Sequence, residues 1–153
     1  MNYVCTLISV KDIEKSKRFY HDVLGLEVLQ DLGANVALTG GLALQTMETW
    51  ETFIGRSDIT LQNNAVELVF EEQDLDAFLE KLKTFPIDYV HDVLEHEWGQ
   101  RVVRFYDPDY HIIEVGEDMR VVVRRFHENG MTEEQIAARM GVPLAYVQDC
   151  TRN

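Results

Sequence analysis

The chain has few of the features that mark exported, membrane-spanning or disulfide-stabilised proteins. Its two cysteines, Cys5 and Cys150, lie at opposite ends of the sequence and offer no disulfide framework. The first apolar run, residues 3–10, is too short for a secretory signal and lacks the basic flank of one. No stretch approaches the roughly 20 apolar residues of a membrane-spanning helix. We therefore expect a reduced, cytoplasmic protein with no membrane partner.

Cationic residues are scarce as well. There are 14 Lys and Arg against 27 Asp and Glu, and the formal net charge is −13. Because phosphate backbones are bound by clustered Lys and Arg, this charge argues against a nucleic-acid partner. The glycines form no phosphate-binding pattern, so we expect no nucleotide cofactor. With 46% hydrophobic residues among 153, the chain can nevertheless bury a core.

What the chain does contain is a repeat with an offset of 62 residues. Residues 3–20 and 65–82 each read as an alternating apolar strand, then an aspartate, then an amphipathic helix. Under this offset Asp12 matches Asp74 and Cys5 matches Glu67. A repeated unit that cannot cover its own sheet face packs against a copy of itself, so we expect two related modules.

Each module is predicted to be βαβββ. In the first, a strand at 3–10 precedes a helix that Asp12 caps and Gly25 ends, followed by strands at 26–31, 35–39 and 42–47. In the second, a strand at 66–70 precedes a helix capped by Asp74, followed by strands at 88–94, 101–106 and 111–116, the last two joined by the turn DPDY. The sequence therefore predicts an α+β domain over residues 1–117, with modules at about 1–48 and 64–117 and a covering loop at 49–63.

Residues 118–153 are predicted to form a C-terminal helical extension. Gly130 ends its first helix, and Thr132 with Gln135 resembles a capping box at the start of the next. The helices have the outline of a helix-turn-helix. However, five acidic residues and five arginines leave the segment formally neutral, so we favour a cap on the sheet or on a second subunit over a DNA-reading element.

Three stretches together carry a family resemblance: VKDIEKSKRFYHDVLGLEV, ELVFEEQDLDAFLEKL and WGQRVVRFYDPDYHIIEVGE. Over residues 3–117 the chain resembles the vicinal oxygen chelate superfamily of glyoxalases, bleomycin-resistance proteins and extradiol dioxygenases. The resemblance implies that the two modules form a curved mixed sheet that makes a cup. It also implies that any metal ligands come from the first and fourth strands of each module.

Carried over to this sequence, the ligand positions are Cys5 and Glu67 on the first strands and Gln45 and Glu114 on the fourth. Metal-binding relatives usually offer histidine at the first-strand positions, whereas one thiol, one amide and two carboxylates match no common metal well. Two facing carboxylates without a cation would repel each other and share a proton, so Glu67 and Glu114 could instead act as general base and acid. A divalent-metal site, a metal-free polar pocket and purely structural roles all stay open.

The other polar residues considered are predicted to lie at the surface or to form salt bridges. His111 is predicted to be a surface histidine beside the DPDY turn, and His91 and His96 are predicted to be solvated. Of Arg101 and Arg104, one could bind an anionic substrate, but salt bridges with the many carboxylates are the favoured interpretation.

The leading hypothesis for function is a glyoxalase-like protein that binds a small molecule in the cup. It would be a divalent-metal-dependent lyase, isomerase or dioxygenase if the carboxylate site is competent, with the metal polarising the substrate oxygens. The alternative is a non-catalytic small-molecule binder of the bleomycin-resistance type. We also predict a homodimer, because the two modules are too thin to cover fully an apolar stripe in the extension, which consists of Met119, Val122, Val123, Phe126, Ile136, Met140 and Val147.

Overall fold

The computed structural model describes residues 1–152 and confirms the α+β class. The first module contains β1 (Thr6–Val10), α1 (Ile13–Asp22), β2 (Val28–Asp31), β3 (Asn35–Leu38), β4 (Leu42–Thr46) and α2 (Met47–Ile54). The second contains β5 (Glu67–Glu72), α3 (Leu75–Leu82), β6 (Tyr89–Glu95), β7 (Arg101–Tyr106) and β8 (Ile112–Glu117). The C-terminal helices are α4 (Met119–Glu128), α5 (Glu133–Met140) and α6 (Leu144–Thr151). Both predicted βαβββ modules are therefore present.

The described chain divides into two compact units. The first contains residues 1–66 and 106–111, and the second contains 67–105 and 112–152. The turn between β7 and β8 thus belongs to the first unit, although the strands on either side of it belong largely to the second. The C-terminal helices fall in the second unit and do not form a unit of their own.

The first unit has a four-stranded sheet in the order β1-β4-β3-β2, in which β1 runs parallel to β4 and the other pairs are antiparallel. Its core is made of strand and helix residues that are at most 7% exposed: Ile8, Val10, Tyr20, Val36, Leu38 and Leu44. Asp12 caps α1 as predicted, since its carboxylate accepts a hydrogen bond from the Lys15 backbone N–H at 2.9 Å.

The second unit repeats this topology in the order β5-β8-β7-β6, with β5 parallel to β8. Asp74 caps α3 through the Ala77 backbone N–H at 3.0 Å. Phe78 of α3 lies against Phe105 of β7, with ring centroids 6.4 Å apart. The repeat in the sequence is therefore a repeat of structure, down to the aspartate that begins each helix.

Two predicted elements differ from the structure. The first strand begins at Thr6 and not at residue 3, and Tyr3 and Val4 are 80% and 84% exposed. The reason is that β4 begins only at Leu42, after a tight turn at Thr39–Gly41, so the residues before Thr6 have no strand partner. In the predicted loop at 49–63, the chain instead continues from β4 into α2, which ends at Gly55 with φ +66°.

The C-terminal helices cover their own apolar stripe. Val122, Val123, Phe126, Ile136 and Val147 are each at most 4% exposed and pack together in one cluster. The reason given above for a homodimer is therefore wrong, because the stripe is buried within the chain, and the homodimer itself stays a prediction. The predicted capping box is present, with Thr132 and Gln135 bonded to each other's backbone N–H groups.

A buried carboxylate joins these helices to the second sheet. Glu117 ends β8, its side chain is 1% exposed, and it pairs with Arg101 at 2.7 Å and with Arg125 of α4 at 2.9 Å. Burial raises the pKa of Glu117, but hydrogen bonds from Arg101 and the charges of both arginines outweigh burial, so the pKa lies below its ordinary value. No helix in residues 1–152 combines the length and apolar character needed to cross a membrane.

Candidate functional site

The two predicted ligands of the first unit do not lie at the same level of its sheet. Cys5 precedes β1 and is half-buried, whereas Gln45 on β4 is beside Ser9, four residues further along. At about 3.3 Å per residue, the two levels are roughly 13 Å apart along the strand direction. The Gln45 amide is also occupied: it accepts from Asn35 at 2.8 Å and donates to the Ala34 carbonyl at 2.9 Å and to the Thr49 hydroxyl.

The two carboxylates of the second unit do share a site, and Arg104 lies in it. In the parallel register Glu114 is beside Val69, so Glu67 and Glu114 occupy one face of the sheet. Arg104 on β7 pairs with Glu67 at 3.0 Å and also pairs with Glu114. His91 approaches the same guanidinium at 3.2 Å. The salt bridge predicted for this arginine is present, and it neutralises the two carboxylates that sequence reasoning placed in a metal site.

These surroundings do not fit a divalent cation. A metal ion at Glu67 and Glu114 would sit beside the positive guanidinium of Arg104, and Gln45 would have to give up its existing hydrogen bonds. Among residues 1–152, no group of three or more His, Cys, Asp and Glu side chains is arranged to hold a metal. The four-residue ligand set thus stays a prediction, and the chemistry of its donors speaks against it.

The first unit contains a cavity of about 270 Å³ that sequence reasoning did not identify. Its walls are β1, Trp50 of α2, the segment 59–64, and Tyr110 and His111 from the turn before β8. The lining combines apolar side chains with hydroxyls and amides, and none of the described residues lining it is a Lys, Arg, Asp or Glu. In a chain with net charge −13, an uncharged concave surface is suited to a small neutral or aromatic compound.

The backbone around this cavity is unusual. Three non-glycine residues in the described chain have φ between +55° and +67°, namely Gln62, Asn64 and Tyr110, and all three line the cavity. Asparagine tolerates this conformation, but for glutamine and tyrosine it costs on the order of 1 kcal/mol or more. Tyr106 donates a hydrogen bond to the Asn64 side chain at 3.0 Å, which connects the segment 59–64 to the start of the turn before β8. Such strain concentrates at functional sites in proteins.

His111 is held in this wall by a buried carboxylate. Its ring Nδ1 lies 2.8 Å from Asp107, whose side chain is fully buried, while the His111 side chain is 23% exposed. Tyr20 of α1 donates to the same carboxylate at 2.7 Å. Burial and the charge of Asp107 raise the pKa of Tyr20 well above its ordinary value, so the phenol stays protonated and donates. His111 therefore lies beside the DPDY turn as predicted, but it is half-buried and bonded to a buried carboxylate, which the prediction of a surface histidine did not include.

A sequence signal for this arrangement was available. In the stretch DPDYH the aspartate precedes the histidine by four residues across a turn, and the Asp107 carboxylate accepts the backbone N–H groups of Asp109 at 2.9 Å and His111 at 2.8 Å. Aspartates that bind the backbone of their own turn are a known turn signature. Trp50 and the loop at 59–64 gave no comparable signal, because their position depends on the fold.

The fold defines the class of protein, which is an α+β protein built of paired βαβββ modules. Comparison with known proteins then identifies the family. The model of the glyoxalase-like domain family matches residues 3–120, so the chain belongs to that family. The resemblance to the vicinal oxygen chelate superfamily is thereby confirmed, and solved structures of glyoxalase-related proteins share the fold.

Individual relatives and solved structures are similar to this chain over most of its length. The uncharacterized protein YraH of Bacillus subtilis is 30% identical, over 69% of this chain and 90% of its own. A crystal structure of a protein of unknown function from Agrobacterium tumefaciens is 38% identical, with a TM-score of 0.70 over 77% of this chain and 94% of that one. A lactoylglutathione lyase from the same organism, 24% identical with a TM-score of 0.59 over 74% of this chain and 91% of its own, shares the fold alone.

Proposed function

We propose that this glyoxalase-like protein binds one small aromatic or neutral compound in the cavity of its first unit, without a metal ion. The observation that carries the proposal is the uncharged cavity of about 270 Å³ bounded by Trp50 and a strained loop. An apolar cavity of about 150 Å³ is enough to hold benzene, so this one has room for a single substituted ring.

The lining supports binding with defined orientation. Trp50 offers a large aromatic surface, and Leu7, Ile59 and Leu61 add apolar contact. The amides and hydroxyls of the loop and of β1 can accept or donate hydrogen bonds to a polar substituent. A few placed polar groups in an otherwise apolar wall are the usual means by which small-molecule sites fix orientation.

A metal-dependent lyase, isomerase or dioxygenase is the weaker alternative, because Arg104 already supplies the cation that Glu67 and Glu114 require. Elemental analysis of the purified protein separates the two hypotheses. Stoichiometric nickel, zinc, manganese or iron that is lost in Glu114→Gln would contradict our proposal. The homodimer and the cytoplasmic location stay predictions that do not affect this test.

Binding itself is tested by fluorescence of a Trp98→Phe variant, in which Trp50 is the only tryptophan left of the two in the chain. Nitrobenzene, an aromatic quencher, should quench Trp50 in a saturable manner. Thr6→Phe, which puts a ring into the cavity wall, should abolish saturation and leave only linear collisional quenching. Leu29→Phe is the matched control, because Leu29 is 69% exposed and does not line the cavity. Linear quenching in every variant would refute the proposed binding.

A further inference from the structure

The buried Asp107 is an acceptor for four hydrogen bonds. Two backbone N–H groups, from Asp109 and His111, reach its Oδ1, while the Tyr20 hydroxyl and the His111 Nδ1 reach its Oδ2. An ionised carboxylate can only accept, so Nδ1 of His111 must carry the proton of that contact. The neutral ring then has its lone pair on Nε2, which can accept a proton or a hydrogen bond.

His111 can present this lone pair to a ligand, because it is part of the cavity wall. His111 lines the cavity and its side chain is 23% exposed; Nδ1 is bonded to the fully buried Asp107, so Nε2 is the ring nitrogen left for a ligand. Among the described residues of the cavity wall, His111 and Tyr110 are the only titratable ones. Of these two, only histidine changes its charge near neutral pH in its ordinary state.

We propose that His111 is the proton acceptor of the cavity and that the cavity selects weakly acidic aromatic compounds of the phenol class. This inference rests on the proposed function and names its ligand class. The phenolic O–H bond breaks, its electron pair stays on the oxygen, and the proton moves to Nε2. The resulting imidazolium lies between the phenolate and Asp107, so one new anion is matched by one new cation and nothing is oxidised or reduced. Asp107 acts as a positioning residue.

The surroundings of His111 are consistent with an imidazolium. Asp107 and Asp109 place negative charge beside the ring, and Tyr20 and Tyr110 are the neighbouring phenols. Lys11, the residue after β1, reaches this cluster through its backbone N–H, which donates to the Asp109 carboxylate at 3.2 Å. Burial and the nearby Asp107 raise the pKa of Asp109. The cluster therefore offers carboxylates to an imidazolium, and Lys11 is the cation that competes with it.

Two probes of nearly the same shape test the inference. 4-Nitrophenol has an acidic proton and a phenolate that absorbs visible light, whereas nitrobenzene has neither. At a pH just below the ionisation of free 4-nitrophenol, we expect the bound compound to show the phenolate spectrum and to bind at least about tenfold more tightly than nitrobenzene, a preference worth about 1.4 kcal/mol.

Variants assign the effect to His111. His111→Gln should abolish the phenolate spectrum and the tenfold preference while still binding nitrobenzene. Asp107→Asn should lower the phenolate fraction at the same pH. His21→Gln is the matched control, because His21 pairs with Asp22 at 2.9 Å but is 57% exposed on α1, and it should change nothing.

The possible failures can be told apart. If 4-nitrophenol and nitrobenzene bind equally and without a phenolate spectrum, the inference is overturned while the proposed cavity stands. A phenolate spectrum that survives in His111→Gln also overturns it. If neither probe binds, the inference and the proposed function fail together. Should Asp107→Asn not fold, His111→Gln alone decides, since its nitrobenzene binding reports an intact cavity.

Discussion

Replacing Arg104 by methionine tests the assignment of the carboxylate pair most directly. Methionine approximates the volume of the side chain but removes the positive charge beside Glu67 and Glu114. The Glu114 side chain is 11% exposed, Arg104 is 23% exposed and Glu67 is 36% exposed. The variant therefore leaves one nearly buried carboxylate and one half-exposed carboxylate on the same sheet face without the positive charge of Arg104.

The expected cost follows from that burial. Breaking a fully buried pair costs about 3–5 kcal/mol, whereas an exposed pair contributes at most about 1 kcal/mol. Because the Arg104 cluster lies between these limits, we expect Arg104→Met to lower the free energy of unfolding by about 2 kcal/mol at neutral pH. Urea unfolding, with the slope checked against wild type, measures the change.

The second measurement compares the stability of wild type and Arg104→Met with and without calcium or zinc. The variant should be stabilised by a divalent cation that wild type ignores, because only the variant has free facing carboxylates. Arg104→Met with Glu114→Gln should recover most of the lost stability. Arg56→Met is the control, since Arg56 and its partner Asp58 are both 66% exposed, and it should leave stability unchanged. If a divalent cation stabilises wild type as strongly as Arg104→Met, our assignment of the pair to Arg104 is refuted.

Three further predictions concern the stability contributed by Asp109, by Gly99 and by the C-terminal helices. Asp109→Asn keeps the oxygen that accepts the Lys11 backbone N–H. Burial raises the pKa of Asp109 in the folded state, so the contribution of the Asp109 carboxyl to stability is lost as pH rises through that pKa. The variant should therefore have a higher melting temperature than wild type at neutral pH but not in acid. Equal melting at both would contradict this. Gly99→Ala should lower the free energy of unfolding by about 2–4 kcal/mol, because Gly99 has φ +91° and an added Cβ would lie 2.1 Å from the Phe126 ring. Gly33→Ala should lower it only by the backbone strain of a positive φ, because nothing lies within 4 Å of the added Cβ. A chain ending at Glu117 should fail to fold cooperatively by circular dichroism, because it loses Arg125 and the Phe126 cluster; light scattering of the full chain tests the homodimer separately.

The fold was largely legible from the sequence because its signals are local. Alternating apolar residues, helical stripes, and caps at Asp12 and Asp74 depend only on neighbours along the chain, and each was found where expected. The helix α2 was missed because its apolar residues, which include Trp50 and Phe53, show weak periodicity in a segment bounded by loop-like sequence. The burial of the C-terminal stripe was missed because it depends on how three short helices pack together.

For the candidate sites too, the sequence predicted what depends on neighbours along the chain and missed what depends on tertiary contacts. The sequence by itself determined two βαβββ modules, a C-terminal helical segment, and four polar positions on the first and fourth strands, since repetition and alternation fix which residues share a strand face. Only the tertiary structure decided what those positions do. Strand order brought Arg104 to Glu67 and Glu114, and side-chain packing gave the Gln45 amide to Asn35 and Ala34. The turn before β8 placed His111 on Asp107 and in the wall of the cavity, because contacts between residues distant in sequence arise only when the chain has folded.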